Sequence, residues 1–521
     1  MGISTLDTWV VGIYAVAIFA LAQWVSRERG EHKKNAQDYF LASRSLPWWA
    51  IGTSLIAANI SAEQIIGMSG SGYVIGLGIA SYEWMSALTL IIVGKFFLPV
   101  FLTNRIYTMP EFLQKRFSSG VRTVMAVFWL GVYVFVNLTA ILWLGATAVH
   151  TVAGIELQTA LVALAVFAGA YALYGGLKAV ALTDIVQVSL LVLGGLIISY
   201  LALDKVSDHH GIWAGFQHLQ ATYPEHFRMI LPRTDPNYKD LPGLSVLVGG
   251  LWVMNVSYWG FNQYIIQRAL AAKDTREAQK GIVLAGFLKL LMPVIIVLPG
   301  IAAVALAPNL ARPDEAYPHL MAMLPPGILG LVFAALIAAI VASMGSKINS
   351  IATIFTMDIY RPLVGGDVSP ERLVVVGRIA AVVALIIASV AAKPLLGSFD
   401  QGFQFIQEFT GFFTPGICVI FLLGMFWSRC TAGAALIAAI ASALLSFGLR
   451  QFWPALPFID RVGLVFLICM ALAILLSLLQ KPQPPSMTIE LKNIDYSTSA
   501  GFNTAAVVIV AILIVLYSTW W

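Results

Sequence analysis

The chain has 521 residues, of which 59% are hydrophobic and only 11% charged, with a formal net charge of +5. Soluble domains carry about 25% charged residues, so a water-soluble globule is excluded, and the small positive balance reads as basic cytoplasmic loops rather than as a nucleic-acid footprint. Cys418, Cys430 and Cys469 have neither metal nor disulfide spacing and read as small apolar packing residues.

A helix needs ~20 residues to cross ~30 Å of hydrocarbon. The opening run "LDTWVVGIYAVAIFALAQWV", residues 6–25, has that length. It lacks the basic start and small-residue cleavage site of a removable signal, so it reads as a first span. Apolar runs follow at 47–74, 80–103, 122–150, 157–174 and 180–203. A polar segment at 204–242 separates them from runs at 243–265, 277–306, 326–360, 373–392, 402–426, 431–449, 460–479 and 502–520. The pattern predicts an all-α integral membrane protein of about fourteen spans, one transmembrane domain over residues 1–521.

Basic residues collect in alternate loops: Arg27, Arg29, Lys33, Lys34 and Arg44 in the first, Arg105, Lys115 and Arg116 in the third, Arg268, Lys273 and Arg276 in the seventh, Arg361 and Arg372 in the ninth. Such loops face the cytoplasm, which places both termini outside a multi-pass protein of the cell membrane. The 204–242 segment holds His209, His210, His218 and His226 without metal-ligand spacing, and reads as an external loop with short helical pieces. The "NLT" triplet at Asn137 lies inside a span, where a glycosylation motif has no meaning.

Two spans look interrupted. "AANISAEQIIG" (57–67) and "VMNVSYWGFNQ" (253–263) each hold Asn-x-Ser, Asn59 to Ser61 and Asn255 to Ser257, followed by an amide side chain and a glycine. They open two blocks of spans whose first helices run in opposite directions by the loop count. Backbone freed at membrane depth is tolerated only beside a protein-lined cavity, and paired breaks in two inverted halves point to a midplane transport site. Polar residues on neighbouring spans converge on the same idea: Tyr82, Glu83 and Ser86, then Lys289, then Gln407 and Glu408. An ionisable residue at membrane depth costs ~2.5–3.5 kcal/mol on insertion scales and faces a cavity or a partner; Lys95, near a helix end, reads instead as snorkelling. Many donors and acceptors beside the aromatic faces of Tyr82, Tyr258, Trp259 and Phe403 suit a neutral polyhydroxyl solute. An anion would meet Glu83 unless Lys289 neutralised it.

The stretches "SLPWWAIGTSLIAANISAEQIIGMSGSGY", "ASYEWMSALTLIIVGKFFLP", "YWGFNQYIIQR", "TIFTMDIY" and "FQFIQEFTG" closely resemble the sodium:solute symporter family, over nearly the whole chain. The resemblance implies a five-plus-five inverted-repeat core of the broken-helix (LeuT-like) type over residues 47–426, preceded by the helix at 6–25 and followed by helices over 431–520. It implies sugar contacts at Gln64, Glu83, Ser86, Asn255, Lys289 and Gln407, supported by Asn59, Ser61 and Tyr82. Met68, Tyr82 and Phe403 would form an outer lid, Tyr258 an inner stacking gate and Trp259 its neighbour. The family's cation site would comprise the carbonyls of Ala57, Ile60 and Ala339 with two adjacent hydroxyls, of which Ser343 is present and Ala342 is missing. Lys347 also stands where the family pattern is apolar. Its ammonium reaches back toward Ser343, with Asp184, the family's acidic residue near the ion exit, as the expected partner.

The resulting expectation is a symporter that imports a neutral, galactose- or glucose-like hexose with Na+, without organic cofactor. Open alternatives are another solute on the same fold (an inositol, sialic acid, proline or a nucleoside) and Na+-independent or proton-linked sugar transport, raised by Ala342 and Lys347. A membrane-embedded enzyme lacks its constellation, since His150 and the dispersed acids form none. A sensor of this family would need a kinase domain, for which the segment 480–500 leaves no room.

Overall fold

The computed structural model describes residues 3–26, 46–106, 108–174, 177–365, 368–482, 489–490 and 493–521, with the side chains of 19, 21–26, 171–184 and 370 outside that description. The first-loop cations Arg27, Arg29, Lys33, Lys34 and Arg44 and the Asp184 side chain therefore lie outside the described part. Within it the chain is helical, apart from one isolated bridge between Leu46 and Ala272. Nine described helices are long and apolar enough to cross a membrane, ten when the pair Gly402–Thr410 and Thr414–Phe426, bent by 48°, counts as one. The 204–242 segment folds as the short helices Ile212–Thr222 and Pro224–Phe227 with turns between them.

Lipid supplies little hydrophobic drive for helix association, so close approach and polar clamps hold the bundle. Helices Trp48–Asn59 and Thr275–Ile295 cross at paired glycines: a Cβ on Gly52 would sit 2.7 Å from the Gly281 carbonyl, and one on Gly281 would sit 2.7 Å from Ile51. Buried Asp7 accepts the amides of Gly327 and Gly330 at 2.7 Å each, which ties the helix Thr5–Ser26 to the start of Ile328–Ile354. The fully buried Arg116 donates to the carbonyls of Gly424, Trp427, Ser428 and Cys430. A cation at a helix C-terminus answers the partial negative charge of its last carbonyls. All three cysteines are free and buried.

Three interruptions shape the interior. The helix Trp48–Asn59 stops because Ile60 turns extended (φ −71°, ψ 104°); the chain resumes as the wide turn Glu63–Met68 and the helix Ser69–Ile75. The Ser61 hydroxyl accepts the Glu63 amide at 3.2 Å and so caps the restart. The second interruption falls inside the expected segment 253–263, but not at its Asn-x-Ser triplet. Asn255 and Ser257 lie inside the continuous helix Gly250–Phe261, and the extended residue is Asn262 (φ −82°, ψ 120°), before Gln263–Leu270. The Asn255 amide donates to the Leu251 carbonyl one turn back, at 3.2 Å, a bond that leaves the helix intact. Asn262 is instead held out of the helix path by Tyr133, whose hydroxyl donates to its Oδ1 at 2.6 Å.

The third interruption is the bend after Gly402–Thr410. The start of that helix is pinned by Asp314, which lies buried in a turn between spans, accepts the Gly402 amide at 3.0 Å and leaves its other oxygen without a partner. Gly70 passes so close that a Cβ there would sit 2.6 Å from that oxygen. Burial pushes the Asp314 carboxyl from 3.8 up to about 7, although the Gly402 amide and Arg312 favour its charged form. Between those two values the folded chain keeps a proton that the unfolded chain has lost, so stability falls as pH rises toward the upper one. The melting temperature of the purified protein is expected to decline from pH 5 to pH 8, and Asp314→Asn to remove that share of the decline; equal slopes in the two proteins would show that Asp314 does not titrate there.

Candidate functional site

The breaks at Ile60 and Asn262, the helices Ser81–Ile92 and Thr275–Ile295, and the bent pair at 402–426 enclose a chamber of about 90 Å³. That is room for several waters at about 10–15 Å³ each. Its floor and walls carry Asn59, Gln64, Tyr82, Glu83, Ser86, Asn255, Tyr258, Trp259, Lys289, Phe403 and Gln407. Eleven of the residues expected from the sequence thus share one cavity, although they come from distant spans.

Lys289 is the hub. It is fully buried, its Nζ lies 2.6 Å from Glu83 Oε2 and donates to Asn59 Oδ1, and it sits 4.9 Å above the centre of the Trp259 ring. Asn59 extends the cluster on both sides: its Oδ1 accepts from Gln64 Nε2 at 3.4 Å, and its Nδ2 donates to the Tyr258 hydroxyl at 3.0 Å. A second cluster joins Ser86 to Asn255 Oδ1 at 2.6 Å and receives the Trp259 indole N–H at 2.9 Å. Its hydroxyl shares its proton with the Tyr82 carbonyl, one turn back and also 2.6 Å away. Three buried wall atoms, Gln64 Oε1, the Tyr82 hydroxyl and Thr410 Oγ1, have no partner. Buried polar atoms are almost always bonded, so these three stand out as open hydrogen-bonding capacity.

Aromatic rings close the chamber from two sides. Phe403 meets Tyr82 edge-on at 5.0 Å between centroids. On the other side Tyr258 stands edge-on to Trp259 at 5.1 Å and accepts the Tyr264 hydroxyl at 2.9 Å. Two expected residues are not on the wall. Met68 is fully buried behind it, because the wide turn directs Gln64 inward and packs Met68 into the core. Ser61 is spent on capping the restart.

The expected cation ligands belong to two helices. Ala57 and Ile60 stand at the helix end, where no following turn supplies amides to the last carbonyls. Ala339 and Ser343 lie one turn apart on Ile328–Ile354, and the buried Ser343 hydroxyl has no hydrogen-bond partner. Ala342 is buried and contributes no oxygen. The expected pairing of Lys347 with Asp184 falls on a side chain outside the described part; within that part Lys347 Nζ lies 3.1 Å from Glu63 Oε1 and 5.1 Å from the centre of the Tyr264 ring. Glu63 was within reach because the break brings the first residue of the wide turn back onto Ile328–Ile354.

Residues that sequence reasoning did not place include Glu63, Tyr133 and Asn262 on the chamber wall and Tyr264 behind it. Glu63 had a usable signal, an ionisable side chain beside a helix break at membrane depth. The tyrosines had none, since an aromatic ring in an apolar helix looks like packing.

A family model described as the sodium:solute symporter family matches residues 39–442. The chain is similar to a sodium/glucose cotransporter of Vibrio parahaemolyticus, 49% identical over 540 aligned positions that take in 100% of this chain and 99% of that one. It is 31% identical to the human sodium/myo-inositol cotransporter 2, over 85% of this chain and 69% of the relative. Among solved structures it matches a substrate-bound, outward-open Na+-coupled sialic acid symporter with a TM-score of 0.79 at 23% identity, over 92% of this chain and 99% of the other, which is a likeness of fold.

The chamber geometry makes its own prediction about stability. Removing one partner of a buried ion pair leaves the other charge uncompensated, at a cost of about 3–5 kcal/mol. Lys289→Met is therefore expected to lower the melting temperature of the purified protein strongly, and Lys289→Met with Glu83→Gln to recover most of the loss. A double variant no more stable than the single one would show that the pair does not hold the chamber.

Proposed function

Since the chain belongs to the sodium:solute symporter family and is a multi-pass, sodium-coupled solute symporter, we propose that its solute is a neutral hexose, imported into the cell with Na+ by alternating access. One observation carries the choice of a neutral solute: each of the three ionised side chains on the chamber wall is balanced. Glu83 and Lys289 neutralise each other at 2.6 Å, and Glu63 is neutralised by Lys347 at 3.1 Å. Neither an anion nor a cation finds an unmatched charge there, whereas hydroxyls find amides, three orphaned polar atoms and aromatic faces. The sodium/glucose name of the 49% identical relative supports a hexose. An inositol is the second neutral polyol, supported by the more distant myo-inositol relative.

In this reading Gln64, Glu83, Ser86, Asn255, Lys289 and Gln407 exchange their mutual bonds for bonds to the sugar, with Asn59 and Tyr82 in support. Phe403 and Tyr82 form the outer lid, backed by Met68; Tyr258, beside Trp259, is the inner gate on which the pyranose stacks. Na+ sits between the carbonyls of Ala57, Ile60 and Ala339 and the Ser343 hydroxyl. The engagement of Lys347 by Glu63 leaves Ser343 free for the ion, which speaks against the proton-linked alternative. The core is a five-plus-five inverted repeat over 47–426 within a single domain of fourteen spans, with the helix at 6–25 before it and those over 431–520 after it. Basic loops face the cytoplasm and both termini face outward.

Uptake into liposomes, with labelled hexoses and inositols supplied outside in Na+ or choline, tests the whole reading. Hexose uptake that requires Na+ and exceeds inositol uptake is expected; a preference for inositol would replace the hexose. Gln64→Ala and Gln407→Ala each remove a solute hydrogen bond and are expected to weaken apparent affinity about tenfold, with normal amounts of protein in the membrane. Tyr258→Phe keeps the stacking face and most of the transport, while Tyr258→Ala loses it. Equal loss in both tyrosine variants would assign the role to the hydroxyl.

A further inference from the structure

We propose that the Lys347 ammonium is a tethered counter-cation for Glu63, standing where a second alkali cation would otherwise bind. The inference rests on the proposed Na+ site for its frame and goes beyond it. Glu63 opens the wide turn after the first break and presents its carboxylate, 11% exposed, to the chamber side of Ile328–Ile354. Lys347 enters from that helix with 1% of its side chain exposed. It lies one turn after Ser343, and side chains on a helix lean toward its N-terminus, so the ammonium stands in the layer next to the proposed Na+ ligands. Among the described residues it meets the Glu63 carboxylate at 3.1 Å and the face of Tyr264, 5.1 Å from the ring centre. A carboxylate and an aromatic face are what a bare monovalent cation takes in a water-poor site.

The charge count explains why a cation has to be there. An unpaired carboxylate at membrane depth is costly, and the other lysine of the region is committed to Glu83 at 2.6 Å. An alkali cation meeting that need would come from solution and leave with each cycle, adding one ion to the transport stoichiometry. An ammonium on a side chain meets it permanently and is never released. It also links the parts that have to move together. Glu63 belongs to the first break, Lys347 to the helix of Ser343, and Tyr264 donates its hydroxyl to the gate residue Tyr258 at 2.9 Å.

Lys347→Met removes the charge and leaves a space at Glu63 large enough for a dehydrated Na+, which is smaller than an ammonium group. The measurements are hexose uptake against external Na+ and equilibrium binding of radioactive Na+ to purified protein. Native protein is expected to show a Hill coefficient of about 1, Lys347→Met a coefficient approaching about 2 with additional bound Na+, and Lys347→Met with Glu63→Gln a return to about 1. Lys347→Gln serves as the second single variant should the methionine protein not be recovered folded. Single-site Na+ dependence in both single variants, with uptake made newly dependent on pH, would show that a proton fills the place and would overturn the proposal. So would recovery of folded protein, in Na+-containing buffer, from the double variant alone. Native uptake indifferent to Na+ is a different result: it would overturn the Na+ site itself.

Discussion

Backbone groups released in the middle of a membrane have no water to turn to, and the architecture follows from where those groups find partners. The chain breaks one helix at Ile60 and another at Asn262. Each break exposes carbonyls and amides that only a polar interior tolerates, and the polar interior is what the surrounding spans supply. Ser61 caps the restart of the first broken span, and Tyr133 holds Asn262 at the second. The glycine crossing at Gly52 and Gly281 brings the helix of Lys289 against the first break closely enough for the ammonium to reach Asn59.

The same interior is costly for isolated charges, and this is a second constraint. The chamber meets it by pairing: Glu83 with Lys289 and Glu63 with Lys347. A wall that is internally neutral yet dense in donors and acceptors attracts no ion strongly and offers many hydrogen bonds. Most of its polar atoms already bond one another. Gln64 Oε1, the Tyr82 hydroxyl and Thr410 Oγ1 are exceptions, the first two where the first broken span meets the helix Ser81–Ile92.

The aromatic rings on the two sides of the chamber follow from the same layout. Tyr258 lies in the helix that stops at Phe261, one turn before the second break. Tyr258 is also bonded to Asn59, the last helical residue before the first break. One phenol thereby senses both interruptions. On the opposite side Phe403 follows Gly402, whose amide is held by Asp314 from a turn between spans.

Composition and periodicity alone determined that this is a polytopic helical membrane protein, because a span must be long, apolar and low in charge whatever it packs against. They also located the first break and the polar residues of the chamber, since a polar side chain at membrane depth has few innocent explanations. Motif resemblance alone raised the expectation of solute contacts at Gln64, Asn255 and Gln407, which no local pattern specifies. Tertiary structure alone decided the partners. The Asn-x-Ser triplet marked a break at Asn59 but not at Asn255, because a side-chain amide bonded to its own helix is silent and the interruption came from Tyr133 on another span. Lys347 was legible as an anomaly, yet its partner was Glu63, from a turn 284 positions away. Pair choice depends on which surfaces the broken helix turns toward one another, and a linear sequence carries that geometry only implicitly.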